Sequence, residues 1–359
     1  MSENLSIQSH KGPYSVIFDS RLLADAGKLL SDQQHFLIDA NVARLYANQL
    51  RPFLSHKNAL VVNATEENKS IERIIPVFER LVENAIRKDH VLIAIGGGII
   101  QDIACFVAST LLRGLSWIFV PTTLLAQADS CIGSKSSVNL GTTKNILGTF
   151  NPPNEIHVCA GFLDTLEDKD IRSGIGEILK VHAIDSASAF DKVAADYDAL
   201  LSDRNVMLAY IRKALVIKQR FIEEDEFDRG VRNIFNYGHS FGHAIEAATN
   251  FAVPHGIAVS LGMDMANRIA SLRGLVEVTH YLRMHPVLCK NYASFANTPI
   301  PLDRLLPALL KDKKNTSSKL VLILPVGAMA AIERVSVAPD EEFRGQCLFC
   351  LNEMKNEYD

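Results

Sequence analysis

The chain has 359 residues, 48% of them apolar and 22% charged, with a formal net charge of −4. That length suffices for two domains with separate cores, and the balance is that of a globular enzyme rather than a disordered or fibrous chain. Acidic and basic residues are interleaved throughout, which argues against nucleic acid or a membrane as partner and makes any basic site local.

The opening stretch MSENLSIQSH has no basic run followed by an apolar one, and no apolar run approaches the ~20 residues of a bilayer span. The cysteines are scattered, without the density of a disulfide scaffold, so a reduced, cytoplasmic protein is expected. Cys347 and Cys350 form a C-x-x-C, read as two small apolar residues on one helix face because no second pair accompanies them.

YSVIF, HFLIDA and ALVVNA are strand-like, and polar helix-forming sequence such as NKSIERIIPVFERLVENAIRK follows. VLIAI then runs into Gly96-Gly97-Gly98, and LSWIFVP into Thr122-Thr123. Short apolar strands alternating with helices predict a mostly parallel, Rossmann-like sheet over residues 1–160. Beyond Pro153 long segments of 3.6 period take over, including DIRSGIGEILKVHAI and NVMLAYIRKALVIKQRFIEEDEF. Only KLVLILPV and AIERVSV look strand-like there, as a small hairpin. The expected class is α/β plus α, with a mainly helical metal- and substrate-binding domain over 161–359.

Three constellations carry chemistry. In VLIAIGGGIIQD a buried strand, three glycines and a helix start let the backbone approach a phosphate, although the spacing is not G-x-G-x-x-G. In NYGHSFGHAIEA, His239 and His243 lie four apart on one helix face, and His255 follows. Glu177 in GIGEILKVHAI supplies a carboxylate, and two histidines with one carboxylate is a catalytic zinc arrangement. Spacing alone pairs His239 with His243. Finally, Lys135, Lys144, Lys180, Lys218, Arg232 and the Lys313-Lys314 pair suit a doubly anionic small substrate.

GGGIIQD, LLRGLSWIFVPTTLLAQADSCIGSKSSVN, TKN, RSGIGEILK, NYGHSFGHAIEA and PHGIAVSLGM stand in the order and spacing of the 3-dehydroquinate synthase family of sugar-phosphate cyclases. The resemblance runs from about residue 35 to residue 325, and PTTLLAQ-x-DS with GH-x-FGHAIE is its most specific part. It implies a phosphate-eliminating lyase of the shikimate pathway that converts 3-deoxy-arabino-heptulosonate 7-phosphate to 3-dehydroquinate with catalytic NAD+. It also implies a divalent metal, zinc first and cobalt second, on Glu177, His239 and His255, and it turns His243 into a substrate-phosphate contact. The family's NAD positions match Asp39, Asn41, Glu66, Lys69, Gly97, Gly98, Asp102, Thr122, Thr123 and Thr165, with Lys135 and Lys144 beside them. Its substrate positions match Asp129, Lys135, Lys144, Asn145, Lys180, Lys218, Arg232, Asn236 and Lys313. Arg113 matches an arginine lent to the neighbouring subunit, which implies a homodimer.

Several family positions differ. Gln101 replaces a glycine of GGGVIGD, and the family's G-G-K-T-G is here Gly133-Ser134-Lys135-Ser136-Ser137. Tyr237 replaces the leucine of NLGH, and Ile257 the glutamate of HGE. These changes keep open a cyclase for another sugar phosphate, of the sedoheptulose 7-phosphate or glucose 6-phosphate type. A metal-dependent polyol dehydrogenase and a catalytically dead homologue are the remaining rivals. Arg232 and Asn236, which the family sets against a substrate carboxylate, favour the acidic substrate.

Overall fold

The computed structural model describes residues 4–141, 143–311 and 319–356. It divides into two compact units: Met1–Leu166 with Ile211–Phe227, and Glu167–Tyr210 with Asp228–Asp359. The first boundary therefore falls at Leu166, close to the expected residue 160. Ile211–Phe227 departs from the expected division, because the helix Arg204–Glu224 begins in the second unit and ends in the first.

The strands are β1 (Leu5–Ile7), β2 (Tyr14–Phe18), β3 (Gln34–Asp39), β4 (Ala59–Val62), β5 (Val91–Gly96), β6 (Ser116–Pro121), β7 (Lys135–Leu140), β8 (Thr143–Phe150), β9 (Glu155–Val158), β10 (Leu320–Val326) and β11 (Ala331–Val337). Seven form one sheet in the first unit, in the order β1-β2-β9-β6-β5-β3-β4, parallel except for β1. Phe36–Ile38 and Leu92–Ile95 are buried without alternation, as expected for strands covered on both faces. The chain runs from β3 outward to β4, then returns to the other side of β3 as β5. Ligands of open α/β sheets bind beyond the carboxyl ends of the strands at such a reversal. β7 and β8 form a separate antiparallel ribbon that the periodicity did not reveal, since its lysines, serines and asparagine obscure the alternation.

The second unit is mainly helical, and β10 and β11 pair as the expected small antiparallel sheet. The helices Asp168–Asp185, His239–Ala248 and His255–Leu272 pack at its centre. Their glycines permit close approach. A Cβ on Gly176 would overlap the carbonyl of Gly256, one on Gly256 the carbonyl of Ser173, and one on Gly262 the carbonyl of Gly238.

Cys347 and Cys350 are buried, unbonded thiols on the helix Glu341–Asn356, as the apolar reading expected. Asp264, His285 and Cys289 also converge. Hydrogen bonds account for that cluster, because His285 Nδ1 lies 2.9 Å from Asp264 Oδ1 and the Tyr292 hydroxyl donates to Asp264 at 2.7 Å. Among the described residues no helix is long and apolar enough to cross a membrane.

Candidate active site

In the second unit, the three close-packed helices bring Glu177, His239 and His255 together. Glu177 Oε1 lies 3.6 Å from His239 Nε2 and 3.3 Å from His255 Nε2. The other carboxylate oxygen pairs with Lys180, which is also buried and lies over the Phe235 ring. Each of the three residues has a glycine neighbour, Gly176, Gly238 and Gly256, so the approach that joins the helices also sets the cluster. Gly238 adopts φ +76°, a left-handed conformation that a side chain would strain, and it starts the helix carrying His239.

Burial alone would raise the Glu177 pKa, but Lys180, His239 and His255 together hold it well below the usual carboxylate range. Burial and the Lys180 charge push His239 far down, so its imidazole is neutral, the form that ligates metal. His255 is raised to about 10: burial opposes its charge, but hydrogen bonds to Glu177 and Glu246 outweigh that. One oxygen of the buried Glu177 carboxylate is taken by Lys180, and the other faces the two imidazoles. A buried carboxylate with two imidazoles at its free side fits a divalent cation, which would complete the arrangement.

His243 stays near the cluster. Its ligand atom lies within 4.8 Å of those of His239 and His255, and its side chain is exposed. Glu246 accepts from His255 Nδ1 at 3.2 Å, orienting that ring. The Tyr237 carbonyl does the same for His239 Nδ1 at 3.3 Å. Sequence reading missed Glu246. It sits seven residues after His239 on the same helix, and that spacing could have revealed it. Ile257 is wholly buried, so it packs where the family has a charge. The Tyr237 hydroxyl is bonded to Asn267. Arg232 is buried, and Asn236 donates to the Asn233 carbonyl at 3.0 Å. Lys313 lies outside the described residues.

In the first unit, the predicted cofactor residues follow the carboxyl ends of neighbouring strands: Asp39 and Asn41 after β3, Glu66 and Lys69 after β4, Gly97, Gly98 and Asp102 after β5, Thr122 and Thr123 after β6. Asp39 caps the helix Ala40–Leu45 by accepting from Asn41 N, and its pKa is raised by burial. Gly97 caps the helix Gly98–Thr110, and a Cβ there would come within 2.9 Å of Thr123 Cγ2. Thr165 lies apart from these, donating to the Tyr46 hydroxyl.

Lys69 is buried and donates to Asp102 at 3.1 Å and to Asn145 at 2.8 Å. Ser137 N donates to Asp102, and Asn139 joins Glu66 to the backbone of Asn145. Burial raises the Asp102 pKa although Lys69 opposes it. The structure thus collects Glu66, Lys69, Asp102 and Asn145 into one network, and Ser137 and Asn139 are members that sequence reading did not single out. Lys135 and Lys144 are exposed on β7 and β8.

Lys218, which looked too apolar in context for a solvated lysine, is buried. It lies 2.7 Å from Asp129 Oδ1 and donates to the Asp129 carbonyl at 2.6 Å. Arg113 is exposed, with φ +60° after Leu112 at +50°, in a turn whose carbonyls are bound by Lys88.

The 3-dehydroquinate synthase N-terminal model matches residues 59–173, and the C-terminal model matches residues 174–315. The chain belongs to the 3-dehydroquinate synthase family. With it the chain joins the phosphate-eliminating cyclases, a class of carbon–oxygen lyase. A 3-dehydroquinate synthase of Alkaliphilus metalliredigens is 33% identical over 345 residues, covering 94% of this chain and 97% of that one. A 2-epi-5-epi-valiolone synthase from Streptomyces hygroscopicus, solved with NAD+ and Zn2+ bound, is similar with TM-score 0.82 and 26% identity, over 98% of this chain and 99% of that one. A 2-deoxy-scyllo-inosose synthase complexed with carbaglucose-6-phosphate, NAD+ and Co2+ shares the fold at TM-score 0.81 and 22% identity, over 98% of this chain and 100% of that one.

Proposed function

We propose that this family member converts 3-deoxy-arabino-heptulosonate 7-phosphate to 3-dehydroquinate, using catalytic NAD+ and a divalent metal, zinc first, on Glu177, His239 and His255. The observation that carries the reading is the convergence of that buried carboxylate and two imidazoles at the free side of a Lys180 ion pair. When bound, NAD+ takes and returns a hydride while the metal polarises the hydroxyl that becomes a carbonyl.

The chain's own groups bind and orient. Around the glycine turn, Gly97 and Gly98 expose backbone N–H groups at a helix start, suited to a pyrophosphate, and Asp39, Asn41, Glu66, Lys69, Asp102, Thr122, Thr123 and Thr165 complete the NAD assignment. Asp129, Lys135, Lys144, Asn145, Lys180, Lys218, Arg232, Asn236 and His243 are assigned to the substrate. Cations on phosphate and carboxylate hold a flexible sugar in one reactive conformation. Arg113 is assigned to a partner subunit's site in a homodimer. Arg232 beside Asn236 supports an acidic substrate. The second reading, a cyclase for a neutral sugar phosphate, rests on the departures from the family pattern at Ser134, Ser136, Ser137, Tyr237 and Ile257.

Phosphate release from 3-deoxy-arabino-heptulosonate 7-phosphate, sedoheptulose 7-phosphate and glucose 6-phosphate tests the choice. The acidic sugar is expected to be turned over fastest; equal or faster release from a neutral one overturns it.

A further inference from the structure

Gln101 sits in the first turns of the helix Gly98–Thr110 and is almost wholly buried, where the family pattern carries glycine. Both ends of its amide are used on one residue. Gln101 Nε2 donates to the Ser130 carbonyl at 2.6 Å, and the Ser130 hydroxyl donates to Gln101 Oε1 at 2.8 Å. Ser130 closes the π-helical turn Ala126–Ser130, and carbonyls at a helix end lack partners within the helix. Here two successive carbonyls are supplied from outside. Lys218 takes that of Asp129, and Gln101 that of Ser130. A π turn is the less stable helical form, so its geometry depends on such tertiary partners. Gln127 in the same turn is likewise anchored, donating to the carbonyls of Pro121 and Cys159.

We propose that Gln101 is a positioning residue that pins the Asp129–Lys218 pair to the glycine turn by gripping Ser130 at two points. This rests on the assignment of Asp129 and Lys218 to the substrate. The clamp joins two functional regions of the α/β unit. Gln101 is on the helix that Gly97 starts, and Ser130 Oγ lies 4.0 Å from where a Cβ on Gly98 would be. Lys218 reaches the Asp129 carboxylate from another helix, so that carboxylate is fixed only if its own turn is fixed. Loss of the clamp lets the turn shift while leaving the glycine turn intact.

The test uses Gln101→Met, which fills similar volume without the amide, and Gln101→Gly, which restores the family residue. Full-length protein with zinc and NAD+ is assayed for kcat, KM, the pH profile of kcat and NAD+ affinity. For Gln101→Met, kcat is expected to fall about 10- to 100-fold, as for a reacting group moved by about an ångström, with NAD+ affinity and zinc content unchanged. Ser130→Ala should give a similar fall, and the double variant no more than either alone. Unchanged kcat and pH profile in Gln101→Met, with only a lower melting temperature, overturns the proposal. Crystal structures of wild type and Gln101→Met decide it independently of activity. An Asp129 carboxylate at its wild-type position relative to the glycine turn in the variant overturns it, whereas a displaced Asp129 carboxylate supports it even if the substrate assignment fails.

Discussion

Glu177 Oε1 lies 3.3 Å from His255 Nε2, and the other oxygen of the same carboxylate is paired with Lys180. One buried carboxylate thus faces a cation of the chain on one side and two imidazoles on the other. Replacing His239 by Ala removes one of those donors without emptying a large apolar core. We expect turnover to be abolished and zinc to be lost, with the circular dichroism spectrum unchanged. Wild-type activity in that variant contradicts the metal assignment.

Glu246 is expected to act through His255. Glu246→Gln should weaken zinc affinity about 10- to 100-fold, the usual effect of removing a partner that orients a ligating imidazole. Titration of the metal-stripped protein with zinc measures this, and unchanged affinity would show that Glu246 does not orient the ring.

Lys218→Met removes the ammonium from the partly buried Asp129 carboxylate. Removing one partner of such a hydrogen-bonded pair costs about 1 to 3 kcal/mol. Urea unfolding should therefore show a lower midpoint, and adding Asp129→Asn should recover part of the loss. A double variant less stable than either single one would contradict the pairing.

Gly97→Ala places a methyl 2.9 Å from Thr123 Cγ2 and beside the N–H groups of the helix start. NAD+ affinity is expected to fall about 10-fold, since glycine there lets the backbone approach a pyrophosphate. An unchanged fluorescence titration would remove the turn from the cofactor assignment.

Burial, aided by His90, His56 and Lys57, lowers the His35 pKa from 6.5 to about 4. Between those values the unfolded chain binds a proton that the folded one does not. Its stabilising contribution is therefore complete above pH 6.5 and is lost as pH falls towards 4. Unfolding free energies of wild type and His35→Gln at pH 7, 6 and 5 measure it. The wild type should lose more stability on acidification, and parallel slopes would contradict the depressed pKa.

The parallel sheet and its glycine turn were legible because VLIAI and LSWIFVP are apolar on both faces and end in Gly96-Gly97-Gly98 and Thr122-Thr123. The ribbon of β7 and β8 was not, because Ser137, Asn139 and Asn145 belong to a polar network rather than to an apolar face. Helical spacing gave His239 with His243, and only the packing of three helices through Gly176, Gly256 and Gly262 joins Glu177 to His239 and His255. The division of the helix Arg204–Glu224 between units left no mark on its periodicity.

In the proposed reaction, hydride transfer is transient and serves phosphate loss. The direct measurement follows phosphate and NADH together, with zinc-loaded protein, NAD+ and excess 3-deoxy-arabino-heptulosonate 7-phosphate. Phosphate should accumulate far beyond the enzyme concentration with no net NADH. Accumulating NADH without phosphate would contradict a cyclase and point to a dehydrogenase.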